Sequence, residues 1–298
     1  MSSTQAADTS ESLILDYSRH DLSRRELLAR LITVTGSMAA THLLLESSGL
    51  AQTISERESK DAKISSSTVS FPSGDQKVEG YLCIPHAPQG VAEGKSKFPA
   101  VIVIHENRGL NEHTRDVARR FASEGFVALA PDALARKGGT ASMKTPDEAR
   151  TAIGTLSAEE TIADLKAALS FLDAHAQVAS GKIASVGFCW GGARSFTLAT
   201  QDERLRAAVV FYGSTPALES LAQVHCPILG LYGESDERIT AHVPETEAAM
   251  KQAGKPFEFK IYEGAGHAFF NDTGDRYNAE AAKDAWTRTL KFLRAKLS

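Results

Sequence analysis

Residues 182–186, Lys182-Ile183-Ala184-Ser185-Val186, have the apolar, β-branched character of a strand. They run directly into Gly187-Phe188-Cys189-Trp190-Gly191-Gly192, and residues 193–199 then read as a helix. A chain that turns from strand to helix within about one residue holds its central side chain out from a strained backbone. The flanking positions must be small, because a Cβ there would collide with the opposing main chain. Such a turn needs a sheet to carry the strand and a layer on which the helix packs, and it marks Cys189 as a candidate nucleophile. A lone cysteine more often belongs to a core. Cys83 and Cys226, in or beside apolar strand runs, are expected there.

Around this turn, strands and helices alternate. Residues 66–71 and 77–83 read as two strands joined by Pro72-Ser73-Gly74-Asp75, and residues 99–105 as a strand apolar enough to be buried on both faces. Residues 126–131, 207–212, 227–232 and 257–262 complete the strands. Helical spacing covers 111–124, with Gly125 as its stop, and 157–175, which opens on the capping pattern Ser157-Ala158-Glu159-Glu160. Further helices are expected near 245–252 and over 278–296. Repeated β-α units imply one mostly parallel sheet covered on both faces. Residues 137–155, with Gly138-Gly139 and Pro146, read as a mobile loop over the site.

A nucleophile on such a turn is the elbow of α/β-hydrolases, in which an acid and then a histidine follow along the chain. Downstream of Cys189, Gly233-Glu234-Ser235-Asp236 and Gly264-Ala265-Gly266-His267 each follow a strand. Asp236 is the favoured acid, with Glu234 as the alternative, and His267 is the expected base. The other histidines, among them His113, His175 and His225, read as solvent or capping residues, and His105 stays open. Glu106 ends the strand over 101–105. It is either a member of the site or a carboxylate placed for the following helix. The oxyanion donors would be the amides of Asn107, in the loop after that strand, and of Trp190, after the nucleophile.

Taken together, His105-Glu106-Asn107-Arg108-Gly109, residues 130–136, the Cys189 hexapeptide, Asp236 and Gly266-His267-Ala268-Phe269 resemble the dienelactone hydrolase family over residues 65–298. The resemblance implies an α/β-hydrolase fold and a Cys189-His267-Asp236 triad that hydrolyses a small-molecule ester or lactone through a thioester. It also implies that Glu106 controls thiol ionisation and that Arg136 holds a substrate carboxylate. Members that open dienelactone place a serine and a second arginine after the histidine. Ala268 and Asn271 stand here instead, so the natural substrate is expected to differ from dienelactone. The same triad serves thioesterases and promiscuous organophosphate hydrolases, and an idle relative could act as a binding protein.

This chemistry needs neither metal nor organic cofactor, and three scattered cysteines fit neither a metal site nor a disulfide framework. A net charge of −4 gives no pull toward nucleic acid, and nothing in the pattern fixes an oligomeric state. Residues 1–64 read as an N-terminal extension with a linker over 52–66, ahead of a catalytic domain at 65–298. Within the extension, Ser23-Arg24-Arg25-Glu26-Leu27-Leu28 resembles a twin-arginine export motif, followed by an apolar stretch over 31–45 and small residues at 49–51. That stretch is too short and polar to span a membrane. The extension is either a signal to the periplasm or a set of packed amphipathic helices in a cytoplasmic protein.

Overall fold

The computed structural model describes residues 9–10, 12–13, 24–37, 40–41, 64–87 and 94–298. The chain divides into two compact units, one of residues 1–61 with 273–275 and one of residues 62–272 with 276–298. In the first unit the arginine pair opens a helix, α1 (Arg24–Thr35), in which Leu27 and Leu31, one turn apart, are buried. No helix among the described residues is long and apolar enough to cross a membrane. The small residues at 49–51 and most of the expected linker lie outside the described residues. The described chain resumes as strand at Ile64, inside the stretch read as linker.

The second unit is built on an eight-stranded sheet. Its strands are β1 (Ile64–Ser73), β2 (Gln76–Pro85), β3 (Phe98–Ile104), β4 (Val127–Pro131), β5 (Val178–Phe188), β6 (Ala207–Phe211), β7 (Ile228–Gly233) and β8 (Phe257–Tyr262). They lie in the order β1-β2-β4-β3-β5-β6-β7-β8. The β1–β2 and β2–β4 pairs are antiparallel and every later pair is parallel. The helices are α2 (Glu112–Ser123), α3 (Pro146–Gly154), α4 (Ala158–Ala174), α5 (Trp190–Ala199), α6 (Glu237–Thr240), α7 (Val243–Gln252) and α8 (Ala279–Leu297).

The alternation within β3 divides the core. Val101 and Val103 face a cluster with Val117 and Phe121 of α2 and Ala285 and Leu293 of α8. Ala100, Ile102 and Ile104 face the opposite layer, with Leu165 and Leu169 of α4, Phe196 of α5 and Met250 of α7. Both faces of the central strands are thus covered, which is why β3, β4 and β6 are apolar along their length. The helix starts are fixed locally: Asn111, Ser157 and Asn278 each accept a backbone N–H three residues on. Residues 137–155 are more structured than expected. Pro146 occupies the first turn of α3 behind the cap Thr145, and the proline that read as a loop signal starts a helix.

The junction of β5 and α5 is made by close backbone approach. A Cβ on Gly187 would overlap the Gly191 carbonyl, and one on Gly191 would overlap the carbonyl oxygens of Ile104 and His105. The helix start is therefore pressed against the end of β3. Gly191→Ala is expected to cost about 3 kcal/mol or more or to block folding, because the backbone at the start of α5 and at the end of β3 has to move apart. A thermal midpoint equal to wild type would refute this.

Candidate active site

Neighbouring strands β3, β5, β6, β7 and β8 are mutually parallel, so their C-terminal ends share one edge of the sheet. Each end contributes a residue: Glu106 after β3, Cys189 after β5, Tyr212 after β6, Asp236 after β7 and His267 after β8. Among the described residues, the non-glycine residues with positive φ are Cys189 (54°), Tyr212 (39°) and Ala268 (65°), and all lie here. Backbone held in this region costs about 1–3 kcal/mol per residue and persists only where the surroundings impose it. At Cys189 the imposition is visible: its N–H is tied to the Phe211 carbonyl at 3.0 Å.

His267 joins two of the expected partners. Its Nδ1 lies 2.5 Å from Asp236 Oδ2 and its Nε2 lies 3.0 Å from Cys189 Sγ. A carboxylate oxygen only accepts, so Nδ1 donates to Asp236 and Nε2 faces the thiol as acceptor. Asp236 is buried and His267 is largely so. Glu234, the alternative acid, instead accepts the Gly264 N–H.

Glu106 is buried beside the same sulfur. Tyr212 Oη donates to its Oε1 at 3.1 Å, and Asn271 Nδ2 donates to its Oε2 at 3.0 Å. Burial, followed by the charge of Glu106, pushes the Cys189 thiol up to about 11. Backbone hydrogen bonds from Trp190 and Asn107 and the positive charge of Arg238 work in the other direction. The two amides expected to form an oxyanion hole are therefore both directed at the sulfur. The resting site holds a protonated thiol with its acceptor already in place.

Arg136 departs from expectation. Its Nε and Nη2 engage both oxygens of Asp164 on α4, at 2.9 and 2.7 Å, and Nη2 also reaches Ser73 in β1. These hydrogen bonds brace α4 against β1. The segment around it is anchored as well. Thr140 Oγ1 donates to Asp132 and accepts the Leu110 N–H, while Leu134, Ala149 and Ile153 pack with Trp190. His113, read as a solvent or capping residue, is buried, and its Nδ1 bonds Asp272, which Arg120 also grips. Cys83 and Cys226 are buried, and burial pushes both thiols up to about 12.

Sequence reasoning missed Tyr212, Asn271 as a partner of Glu106, and Arg238. Tyr212 carried a usable signal, a phenol at a strand end one residue before Gly213; Arg238 carried none beyond lying two residues after Asp236. Among the described residues no cluster of histidine, cysteine and carboxylates has the makings of a metal site.

A mostly parallel sheet with helices on both faces and a nucleophile elbow at its edge defines an α/β-hydrolase. The Dienelactone hydrolase family profile matches residues 78–297. The chain belongs to that family and is a hydrolase. It is 35% identical over 260 residues to a protein of Saccharolobus solfataricus named "Putative carboxymethylenebutenolidase", covering 75% of this chain and 96% of the relative. A protein of the same name from Methylorubrum extorquens is 30% identical over 291 residues, covering 94% of this chain and 97% of the relative. The crystal structure of a "Putative Dienelactone Hydrolase" from Klebsiella pneumoniae superposes with a TM-score of 0.70 at 29% identity, covering 78% of this chain and 98% of that one.

Two outcomes follow from this geometry. Iodoacetamide should alkylate Cys189 slowly near neutrality and faster toward pH 11, since a pKa of about 11 leaves roughly one thiol in a thousand ionised at pH 8. Removing the neighbouring charge with Glu106→Gln should move that profile to lower pH; an unmoved profile would contradict the role given to the carboxylate. Arg136→Met should lower stability by about 1–3 kcal/mol and leave KM for an anionic ester within about twofold. A large rise in KM would return the residue to the substrate.

Proposed function

We propose that the protein hydrolyses carboxylic esters or lactones through a Cys189-His267-Asp236 triad and a thioester acyl-enzyme. One observation carries this reading: the unbroken chain from Asp236 Oδ2 to His267 at 2.5 Å and from His267 Nε2 to Cys189 Sγ at 3.0 Å. Thiolate is the attacking species, so the thiol must give up its proton as the substrate engages, to His267 Nε2 directly or by way of Glu106. The sulfur adds to the carbonyl carbon and the carbonyl oxygen becomes an oxyanion, held by the Asn107 and Trp190 amides. The C–O bond to the leaving group then breaks, and protonated His267 returns the proton to the departing alkoxide. In a lactone the alkoxide stays on the acyl group. Water, deprotonated by His267, cleaves the thioester and regenerates the thiol. Asp236 holds the imidazole tautomer and stabilises the imidazolium throughout.

The substrate is a small ester, and with Asn271 bonded to Glu106 and Arg136 bonded to Asp164, charge recognition by those two positions is not part of the proposal. We also infer that residues 65–298 form the catalytic domain and residues 1–64 an extension to it. The division between residues 61 and 62 supports this. Cys189→Ala should lower kcat for p-nitrophenyl butyrate by at least about 10³-fold. Hydrolysis at the wild-type rate would remove Cys189 as the nucleophile.

A further inference from the structure

His105 is buried completely, one residue ahead of Glu106, with no part in the proton path from Cys189 to Asp236. Its ring nevertheless touches the two residues next to the oxyanion amides, the Glu106 carbonyl of the Asn107 peptide and the side chain of Trp190. Nδ1 lies 2.6 Å from the Glu106 carbonyl oxygen, and the ring stacks on Trp190 with centroids 5.5 Å apart and planes 13° from parallel. On the far side, Nε2 accepts the Ala133 N–H at 3.1 Å.

These contacts fix the proton. A carbonyl oxygen only accepts, so Nδ1 carries the hydrogen, and an N–H donor at Nε2 requires a bare nitrogen there. Burial lowers the pKa of the imidazole, which keeps the ring neutral and preserves this tautomer. The bond at Nδ1 has a geometric consequence. The Glu106 carbonyl and the Asn107 N–H belong to one peptide unit, no peptide among the described residues is cis, and in a trans unit the two groups point in opposite directions. Holding the carbonyl on one side aims the amide on the other. The same bond polarises the peptide and strengthens its N–H as a donor. The carbonyl of His105 itself lies against Gly191, so this short stretch is pressed between α5 and the imidazole.

We propose that His105 is the positioning residue of the oxyanion hole: its Nδ1–H grips the Glu106 carbonyl, and its ring seats Trp190, so that both amides meet the developing oxyanion in fixed directions. This rests on the acyl-transfer reading above. It also assigns a role to the Ala133 N–H, which locks the tautomer from the start of the segment that packs on Trp190.

The test compares His105→Phe, which keeps a flat ring without a donor, with His105→Asn, which restores an N–H near the Nδ1 position. His105→Ala serves in place of Phe if that ring fails to pack. Each is assayed on a p-nitrophenyl ester and on the matching thionoester, whose larger, weakly accepting sulfur draws little from an oxyanion hole. With the donor removed, kcat on the oxygen ester should fall on the order of ten- to a hundredfold. KM should change little, and the thionoester should lose less than about threefold. His105→Asn should recover most of the loss. Wild-type kcat in a donorless variant would overturn the proposal. So would equal losses on both substrates, since that would mean that the ring only supports the fold. Cys189→Ala separates the two levels: if it hydrolyses the ester normally, the acyl-transfer reading fails. If it is inactive while His105→Phe is normal, the positioning role alone fails.

Discussion

Two backbones touch where β5 turns into α5, and the site is arranged around that contact. Gly187 and Gly191 allow the start of α5 to lie against the carbonyls that end β3, closer than any side chain would permit. Cys189 is thereby held with φ of 54° at the edge of the sheet. The Glu106–Asn107 peptide is brought beside Trp190 by the same approach. Because β3, β5, β6, β7 and β8 run parallel, their loops deliver Glu106, Tyr212, Asp236 and His267 to one edge without long excursions of the chain. The strain at the elbow is tolerable because it is spread into a well-packed sheet whose central strands are buried on both faces.

Opposing electrostatic influences meet at the sulfur. Burial and the charge of Glu106 favour the thiol, whereas the Trp190 and Asn107 amides and Arg238 favour the thiolate, and the balance leaves the thiol at about 11. Glu106 itself is held by two neutral donors, Tyr212 and Asn271, so its carboxylate stays next to the sulfur. The amides that disfavour protonation at rest are the same groups proposed to receive the oxyanion. Entry of a carbonyl oxygen between them would replace the thiol sulfur as their acceptor rather than create a new interaction from nothing.

Much of this was legible in the sequence because it depends on local pattern. The strands of the sheet announced themselves as β-branched runs, Ser157 as a cap, and the nucleophile, acid and base by their order after successive strands. What was not legible depends on residues far apart in the chain. The resemblance assigned Arg136 to a substrate carboxylate; its partner Asp164 comes from α4, 28 residues on, where no local pattern points. Asn271 looked like the loss of a cation, and only the fold reveals that it bonds Glu106 across 165 residues. His113 lacked any local context, yet Asp272 meets it in the interior. Residues 137–155 misled for a different reason: Pro146 ends helices when it lies inside them but favours their first turn, and the sequence pattern alone left that choice open.

The protonated state of Cys189 has a consequence beyond ester chemistry. Peroxide oxidises thiolates, not thiols, and low-pKa exposed cysteines are the ones that climb to sulfenic and sulfinic acids. A nucleophile kept protonated by burial and an adjacent carboxylate is shielded from that chemistry whenever no substrate is present. The arrangement that makes the sulfur a reluctant nucleophile at rest also makes it a durable one, suited to surroundings in which an exposed thiolate would soon be lost.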